Sequence, residues 1–462
     1  KQMAKNDILA RLNNQRILLL GFGREGKSTL RFITENIRNA DVTIADANEN
    51  LDTEELKGEK YRWIVGENYL DTINDYDVVV QSPGISLKNH LHRIQRKKIT
   101  SQTDLFLQAY GCQCIGITGT KGKSTTASLV YHVLQSLHAP VLFAGNIGIP
   151  LFDIIPQIGE KEKIVIELSS HQLEFIRKAP AISVLLNLFE EHLDHYNSFY
   201  DYQSAKLNIA TCQNGNDSFI YNTSDDLINQ LLKTTTIASQ RYGFSYAYDK
   251  AAVCYVKDNY FVLKRNGKEE KLFAVDDTFP LKGNHNLQNV SAAILAVLLA
   301  YPVSDYQQLK DAVMSFRPLS HRLEYVATID DVIFYNDSIS TIPQATIAAL
   351  QALKNVNTLI LGGMDRGIDY SPLKEIIMES EVKNFIFTGK AGERMMQLCQ
   401  QPENKNFYLL DDYKEIVDLA KKITAKHCIC LLSPAASSYD AFKNFEERGE
   451  VYKSFINENA KK

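Results

Sequence analysis

Two glycine-rich segments carry the residue types that hold phosphate. Gly21-Phe-Gly-Arg-Glu-Gly-Lys-Ser28 fits G-x-x-x-x-G-K-[ST], whereas Gly119-Thr-Lys-Gly-Lys-Ser-Thr125 departs from it, because Ile117 stands where the leading glycine should be. Each follows an apolar run (16–20 and 114–118) and precedes a helical pattern, so each offers free backbone N–H groups and a helix N-terminus to an anion. Context separates them. The first also reads as G-x-G-x-x-G through Gly21, Gly23 and Gly26, and the run 42–46 ends in Asp46, an acid that could hold a ribose. That is a nucleotide or dinucleotide signature with no second metal-binding acid. The second segment is followed by residues suited to magnesium and phosphoryl transfer, and it is the one expected to take ATP.

In that second segment Lys123 can reach β- and γ-phosphates, Ser124 can put its hydroxyl on magnesium, and Thr125 begins the helix. The alternative is a tight strand-to-helix turn that happens to contain lysine. Glu167, in Ile164-Val-Ile-Glu-Leu-Ser-Ser-His-Gln-Leu-Glu174, ends a buried strand on the same sheet edge. A bare carboxylate there needs a cation or a donor. Magnesium is the natural partner, and a salt-bridged or capping role is the alternative; Glu174 reads as a surface or capping acid. Asn187-Leu-Phe-Glu-Glu-His-Leu-Asp-His-Tyr196 again closes an apolar run (182–186) with donors and metal ligands. His192 could bind a metal through neutral imidazole and Asp194 could orient it. A zinc site on His192 and His195 competes, but no cysteine or third histidine stands near in sequence. Lys206 lies in a helical stretch and reads, from spacing alone, as solvated. Asn286 and Asn289 share one face of a helix start, where amides could read a purine edge or cap the helix.

The elements that must position these residues alternate. Apolar β-branched runs at 16–21, 42–46, 78–81, 115–118, 141–143, 164–168 and 182–186 are separated by helical patterns, which predicts α/β units with largely parallel sheets and ligands at the carboxyl ends of strands. A first series ends near Thr100. Short strands and turns between 243 and 282 predict a small antiparallel insert, helical periodicity resumes at His285, and a third series follows Arg317-Pro318, with strands at 332–335, 358–361, 384–387 and 428–432. Three domains are expected, at 1–100, 101–317 and 318–462, in keeping with 462 residues.

Composition narrows the class. With 45% hydrophobic and 23% charged residues the chain is an ordinary globular protein, and a net charge of -4 argues against nucleic-acid binding by phosphate neutralisation. No charged-then-apolar segment opens it, and the longest apolar stretch, 292–303, is too short for a membrane span, so a cytoplasmic protein is expected. Its seven cysteines include Cys112-x-Cys114 and Cys428-x-Cys430 but no C-x-x-C, which reads as reduced, buried thiols rather than a metal site.

Taken together, Gly119-Thr-Lys-Gly-Lys-Ser-Thr125, Gly145-Asn-Ile-Gly148, Glu167-Leu-Ser-Ser-His-Gln-Leu-Glu174, Glu191-His-Leu-Asp194, Ala205-Lys-Leu-Asn208, Gly283-Asn-His-Asn286 and Leu319-Ser-His-Arg-Leu-Glu324 resemble the ATP-dependent Mur ligases, in order and over nearly the whole chain. Ser82-Pro-Gly-Ile85, Asn336-Asp-Ser338, Ser433-Pro-Ala-Ala-Ser-Ser-Tyr-Asp440 and Phe442-Lys-Asn-Phe-Glu-Glu-Arg-Gly449 are similar to the branch of that family that adds D-glutamate to UDP-N-acetylmuramoyl-L-alanine. The resemblance implies an α/β fold with an N-terminal Rossmann-like nucleotide domain, a central P-loop ATPase-like domain bearing the insert, and a C-terminal Rossmann-like domain. It implies a reaction in which ATP phosphorylates the L-alanyl carboxylate and the D-glutamate amine attacks the acyl phosphate, in peptidoglycan precursor synthesis. Two anions must meet, so cations and positioning should carry catalysis.

Carried over by resemblance, Gly119, Thr120, Lys121, Gly122, Lys123, Ser124 and Thr125 serve the ATP phosphates; Ser124, Glu167 and His192 hold metal; and Lys206 is carbamylated to support a second ion. Two magnesium ions are implied, with manganese as a substitute. Asn286 and Asn289 face adenine, while Arg322 and Asp337 close over phosphates and ribose. Arg24, Glu25, Gly26, Asp46, Ala47, Asn48, Ser82, Pro83 and Gly84 hold the uridine diphosphate, with Asn146 and His192 toward the muramoyl group. Thr341, Arg366, Ser438 and Phe445 line the D-glutamate pocket, and a monomer is expected. This chain departs from the family at Lys121, usually Asn; at Ile339, commonly Lys; and at Met364 and Arg366 within the Gly-Gly-Asp-Gly-Lys pattern. Arg366 keeps a charge able to grip a carboxylate bidentately, whereas Ile339 cannot replace an ammonium. A sister ligase adding another amino acid, a folylpolyglutamate-synthase-like ligase, an NAD-dependent dehydrogenase using the Gly21 segment, and a nucleotide-binding regulator without turnover are the competing readings.

Overall fold

Most of the apolar runs become strands buried on both faces, as parallel sheets require, while 141–143, at a sheet edge, is half-buried. A computed structural model of the chain describes residues 2–51, 61–145, 150–189, 195–316, 321–341, 343–365, 367, 369–443 and 445–458. Asn146, His192, Asp194 and Arg366, all singled out above, lie outside the described residues. The chain divides into two compact units, 1–277 with 288–316, and 278–287 with 317–462.

The first unit holds two sheets. Strands β1 (Arg16–Leu20), β2 (Asp41–Asp46), β3 (Arg62–Val65), β4 (Val78–Gln81) and β5 (Ile99–Thr100) pair in parallel in the order β3-β2-β1-β4-β5. Along β1 the side chains alternate: Ile17 and Leu19 enter one core, Leu18 and Leu20 the other. From β1 the chain runs outward to β3 and returns on the other side at β4, so the strand order reverses beside β1. A crevice for ligands opens at such a point.

The second sheet comprises β6 (Cys114–Thr118), β7 (Val141–Gly145), β8 (Lys163–Glu167), β9 (Ile182–Leu185), β10 (Ser218–Asn222), β11 (Gln240–Phe244), β12 (Ala252–Lys257), β13 (Tyr260–Arg265) and β14 (Lys268–Ala274), in the order β14-β13-β12-β11-β10-β9-β6-β8-β7. The antiparallel segment expected as a small insert is present, but it is not a separate body. Strand β12 pairs in parallel with β11 and antiparallel with β13, so the insert extends the central sheet. Without it, the edge of β11 would leave a row of backbone groups unpaired. The two sheets share a core: Phe32 meets Phe152 at 4.6 Å, and Ser28 Oγ donates to Asp153 at 2.7 Å.

The second unit holds β15 (Glu324–Ile329), β16 (Val332–Asn336), β17 (Val356–Gly362), β18 (Asn384–Thr388), β19 (Asn406–Leu409) and β20 (Ile429–Leu432), in the order β15-β16-β20-β17-β18-β19. All pairs are parallel except the β15–β16 hairpin at one edge. Cores lie on both faces of this sheet. The order reverses between β17 and β20, and the ends of β16, β17 and β20 stand side by side there. Among the described residues no helix is long and apolar enough to cross a membrane. All seven cysteines are free thiols, but only Cys114, Cys254 and Cys430 are buried as expected; Cys112 is exposed.

Candidate active site

The central glycine segment links β6 to the helix Lys123–Ser136. Gly122 takes φ 86° at the cap position, and no side chain caps the helix there. A Cβ on Gly122 would approach Asn289 Oδ1 to 2.6 Å, so glycine is needed for space as well as for backbone hand. The Lys123 ammonium folds back on the loop, donating to the Gly119 carbonyl at 3.0 Å and the Thr120 carbonyl at 3.1 Å. Ser124 Oγ lies 2.9 Å from both carboxylate oxygens of Glu167, which closes the neighbouring strand β8 and is 2% exposed.

Lys206 overturns the reading from spacing. It is 2% exposed, donates to the Gly119 carbonyl at 3.0 Å and to Thr118 Oγ1 at 3.3 Å, and lies over the Tyr202 ring. The reason is the helix face: in Phe199–Thr211, Tyr202, Ala205, Lys206 and Ile209 are all buried, an i, i+3, i+4, i+7 stripe. Two ammonium groups, Lys123 and Lys206, thus converge on one carbonyl. Glu174, read as a surface or capping acid, instead pairs with His195 at 3.0 Å, and the His195 ring lies 3.9 Å from that of His171, tilted by 31°. Among the described residues no group of three histidine, cysteine or acidic side chains could hold a metal, and His192, the other half of the zinc reading, lies outside them.

At the first glycine segment a carboxylate, not an ammonium, binds the backbone of the loop. Asp46 turns its carboxylate into the loop, accepting from Phe22 N–H at 2.8 Å and from Asn48 N–H at 2.8 Å. Lys27, the lysine of the better Walker-like match, lies over the Phe22 ring at 5.9 Å. Residues 82–85 form a turn closed by Ile85 N–H on the Ser82 carbonyl, and Ser82 Oγ reaches the Gly21 carbonyl at 3.3 Å. The Gly21 loop, Asp46 with Asn48, and Ser82 thus meet at the ends of β1, β2 and β4. Glu25 Oε1 accepts from Gln172 Nε2 at 3.2 Å, and burial pushes its carboxyl above the usual range. Gln172 also completes a capping box with Ser169, so one amide joins the helix Arg24–Asn36 to the segment after Glu167.

In the second unit Asp337, 2% exposed, follows β16 and accepts from Ser433 Oγ at 2.8 Å, from Ser340 Oγ and from Leu323 N–H. Burial pushes its carboxyl up to about 6, against the pull of those donors and of the Arg322 guanidinium. Burial and then the same guanidinium push His285 down to about 4. Asn286 donates its side-chain amide to the Lys282 carbonyl at 2.8 Å, a bond to the chain before the helix and not a cap on its N–H groups. Asn289 is buried in the first unit. Ser438 is buried and Thr341 half-buried; Phe445 accepts through its carbonyl from Ser338 Oγ at 2.7 Å, and its ring meets His321 edge-on. Met364, at the departure from the family pattern, bridges to Ser437 through its backbone.

Comparison with known proteins fixes the family. Residues 117–297 match the Mur ligase middle domain and residues 15–100 the MurD-like N-terminal domain of Mur ligases. The UDP-N-acetylmuramoylalanine--D-glutamate ligase of Geotalea uraniireducens is 33% identical over 96% of this chain and 98% of its own length. That of Acetivibrio thermocellus is 30% identical, over 98% of each. The chain belongs to the Mur ligase family.

Solved Mur ligases share the fold at low identity. MurF from Acinetobacter baumannii superposes with a TM-score of 0.60 at 14% identity, covering 98% of each chain. MurF from Thermotoga maritima, in complex with ADP, gives 0.57 at 14% identity, covering 97% of this chain and 96% of its own. Two residues of this Mur ligase were absent from the sequence reading as functional candidates. Arg448, fully buried, donates to Ser338 Oγ at 3.0 Å, the Ser338 carbonyl at 2.8 Å and the Ala436 carbonyl at 3.1 Å, stapling three of the quoted strings together. Gln102, 2% exposed, donates to Ser28 and Thr29 and so holds the first glycine helix. Arg448 stood within a quoted string; Gln102 had no signal.

Proposed function

We propose that this Mur ligase joins D-glutamate to UDP-N-acetylmuramoyl-L-alanine at the expense of ATP, through an acyl phosphate. The names of its full-length relatives and the C-terminal strings support the amino acid. The observation that carries the mechanism is the contrast between the loops: ammonium groups converge on the Gly119 carbonyl, whereas the Asp46 carboxylate occupies the mouth of the Gly21 loop. A triphosphate belongs with the cations, and a ribose with the acid. Residues 1–100 then hold the uridine nucleotide, 101–317 bind ATP, and 318–462 bind the amino acid. The chain works as a cytoplasmic monomer, without nucleic acid or membrane.

The Ser124 hydroxyl and Glu167 carboxylate are hard oxygen donors, the set that magnesium takes. With His192, and Lys206 as its carbamate, they would hold two ions, which when bound neutralise phosphate charge. Carbamylation suits Lys206, because it turns one of two crowded ammonium groups into an anion. Lys123 binds the β- and γ-phosphate oxygens, the uncapped first turn at Gly122 offers them N–H groups, and Asn286, Asn289, Arg322 and Asp337 take the rest of the nucleotide. The L-alanyl carboxylate oxygen attacks the γ-phosphorus as the bond to ADP breaks. The uncharged D-glutamate amine, having lost one proton, then attacks the acyl carbon; the C–O bond to phosphate breaks, and the nitrogen gives up a second proton. Thr341, Arg366, Ser438 and Phe445 orient that amine.

Phosphate release with the muramoyl-alanine nucleotide and a panel of amino acids tests the reading. D-glutamate alone should support turnover. Lys123→Ala and Glu167→Ala should each lower it by at least about 10²–10³-fold, the scale of losing a charge-stabilising group, with circular dichroism unchanged. Near-normal turnover in either variant would refute the assignment.

A further inference from the structure

The central loop is held from outside its own segment, and one side chain makes the attachment. Beyond the ends of β6 and β9 the pairing continues: Leu186 N–H donates to the Thr118 carbonyl at 3.0 Å, and Thr120 N–H to the Asn187 carbonyl at 3.1 Å. The Asn187 side chain then takes over. Its Oδ1 accepts from Lys121 N–H at 2.8 Å, and its Nδ2 donates to the Lys121 carbonyl at 2.9 Å. A side-chain amide thus pairs with a main-chain residue as a neighbouring strand would. It satisfies the N–H groups of Thr120 and Lys121 without phosphate, leaving the anion to the first turn of the helix Lys123–Ser136.

Asn187 is itself fixed. Asn222 Nδ2 donates to the Leu186 carbonyl at 2.9 Å, Leu188 N–H to Asp225 Oδ2 at 3.0 Å, and Phe189 N–H to Thr120 Oγ1 at 2.9 Å. That hydroxyl also meets Tyr202 Oη at 2.8 Å. Every residue from 186 to 189 is tied down, so the amide stands on a rigid bracket.

We propose that Asn187 is a positioning residue for the nucleotide: it presets the phosphate loop through the Lys121 peptide. The grip at position 121 is on the backbone N–H and carbonyl of Lys121. The proposal rests on ATP binding at the central loop, so the test separates the two. ADP and UDP are titrated separately by calorimetry into the full chain and into Lys123→Ala, Asn187→Ala and Asn187→Asp. The original chain should bind both nucleotides, and Lys123→Ala should lose ADP alone; if it binds ADP unchanged, the underlying reading fails. With that reading standing, Asn187→Ala should weaken ADP at least tenfold and leave UDP within twofold. Asn187→Asp, which can still accept from Lys121 N–H but cannot donate, should weaken ADP as much or more. In turnover, KM for ATP should rise more than kcat falls. ADP affinity unchanged in both variants, or ADP and UDP affinities falling together, would overturn the proposal.

Discussion

Lys206 and Asp337 are buried ionisable groups whose settings make opposite demands. Lys206 shares the Gly119 carbonyl with the Lys123 ammonium, an arrangement relieved when its charge reverses. Supplying ¹³C-labelled bicarbonate should therefore yield a carbamate carbon signal that is lost in Lys206→Arg; an identical signal in both proteins would contradict the assignment. Asp337 is an acid whose folded value, about 6, lies above its ordinary 3.8. Such a group stabilises the fold fully below about 4 and loses that contribution as pH rises through about 6. The difference corresponds to roughly 3 kcal/mol at most. Asp337→Asn should thus raise Tm over the original chain at pH 8, with the gap closing toward pH 4, since the Ser340 and Ser433 hydroxyls can turn to accept. A gap independent of pH, or of the opposite sign, would show that the carboxylate is not disfavoured by burial.

The two glycine loops are built by similar strand-to-helix turns, yet their glycines answer different crowding. A Cβ on Gly26 would lie 2.2 Å from the Gly21 carbonyl oxygen, so the helix Arg24–Asn36 sits closer to its strand than alanine allows. Gly26→Ala should cost roughly 1–3 kcal/mol by overpacking and weaken the uridine nucleotide while sparing ADP. Gly122→Ala should do the reverse, since it strains a left-handed residue by about 1–2 kcal/mol and pushes Asn289. Equal losses of both nucleotides in both variants would sink the division of labour. Much of this is legible in the sequence: both loops, their strands and Glu167 follow from apolar runs whose apolar side chains the structure buries. The unread strands, β3, β5, β10, β11, β15 and β19, include short edge strands and runs interrupted by polar residues, such as β15, whose side chains are all partly or fully exposed. Lys206 was misread because spacing was judged around the lysine and not around the stripe of Tyr202, Ala205 and Ile209. Asn187 was noticed only as the start of a cluster, since an amide that pairs with a distant peptide leaves no local pattern.

Across the chain, one architecture is used three times: a sheet whose order reverses, with the candidate residues at the strand ends beside the reversal. In the first unit the helix Arg24–Asn36 is tied to its neighbours by two amides, Gln102 on Ser28 and Thr29 and Gln172 on Glu25. In the second, Arg448 locks the strings after β16 and β20. Assigning two nucleotides to two similar loops by the sign of their surroundings is the step on which the mechanism stands. A crystal structure of the protein with UDP-N-acetylmuramoyl-L-alanine and a non-hydrolysable ATP analogue tests it directly. The account expects the β- and γ-phosphates against Lys123 and the N–H groups from Gly122 to Ser124, with the uridine diphosphate beside Gly26 and Asp46. A triphosphate seated on the Gly21 loop, with nothing at Gly119 to Ser124, would contradict it.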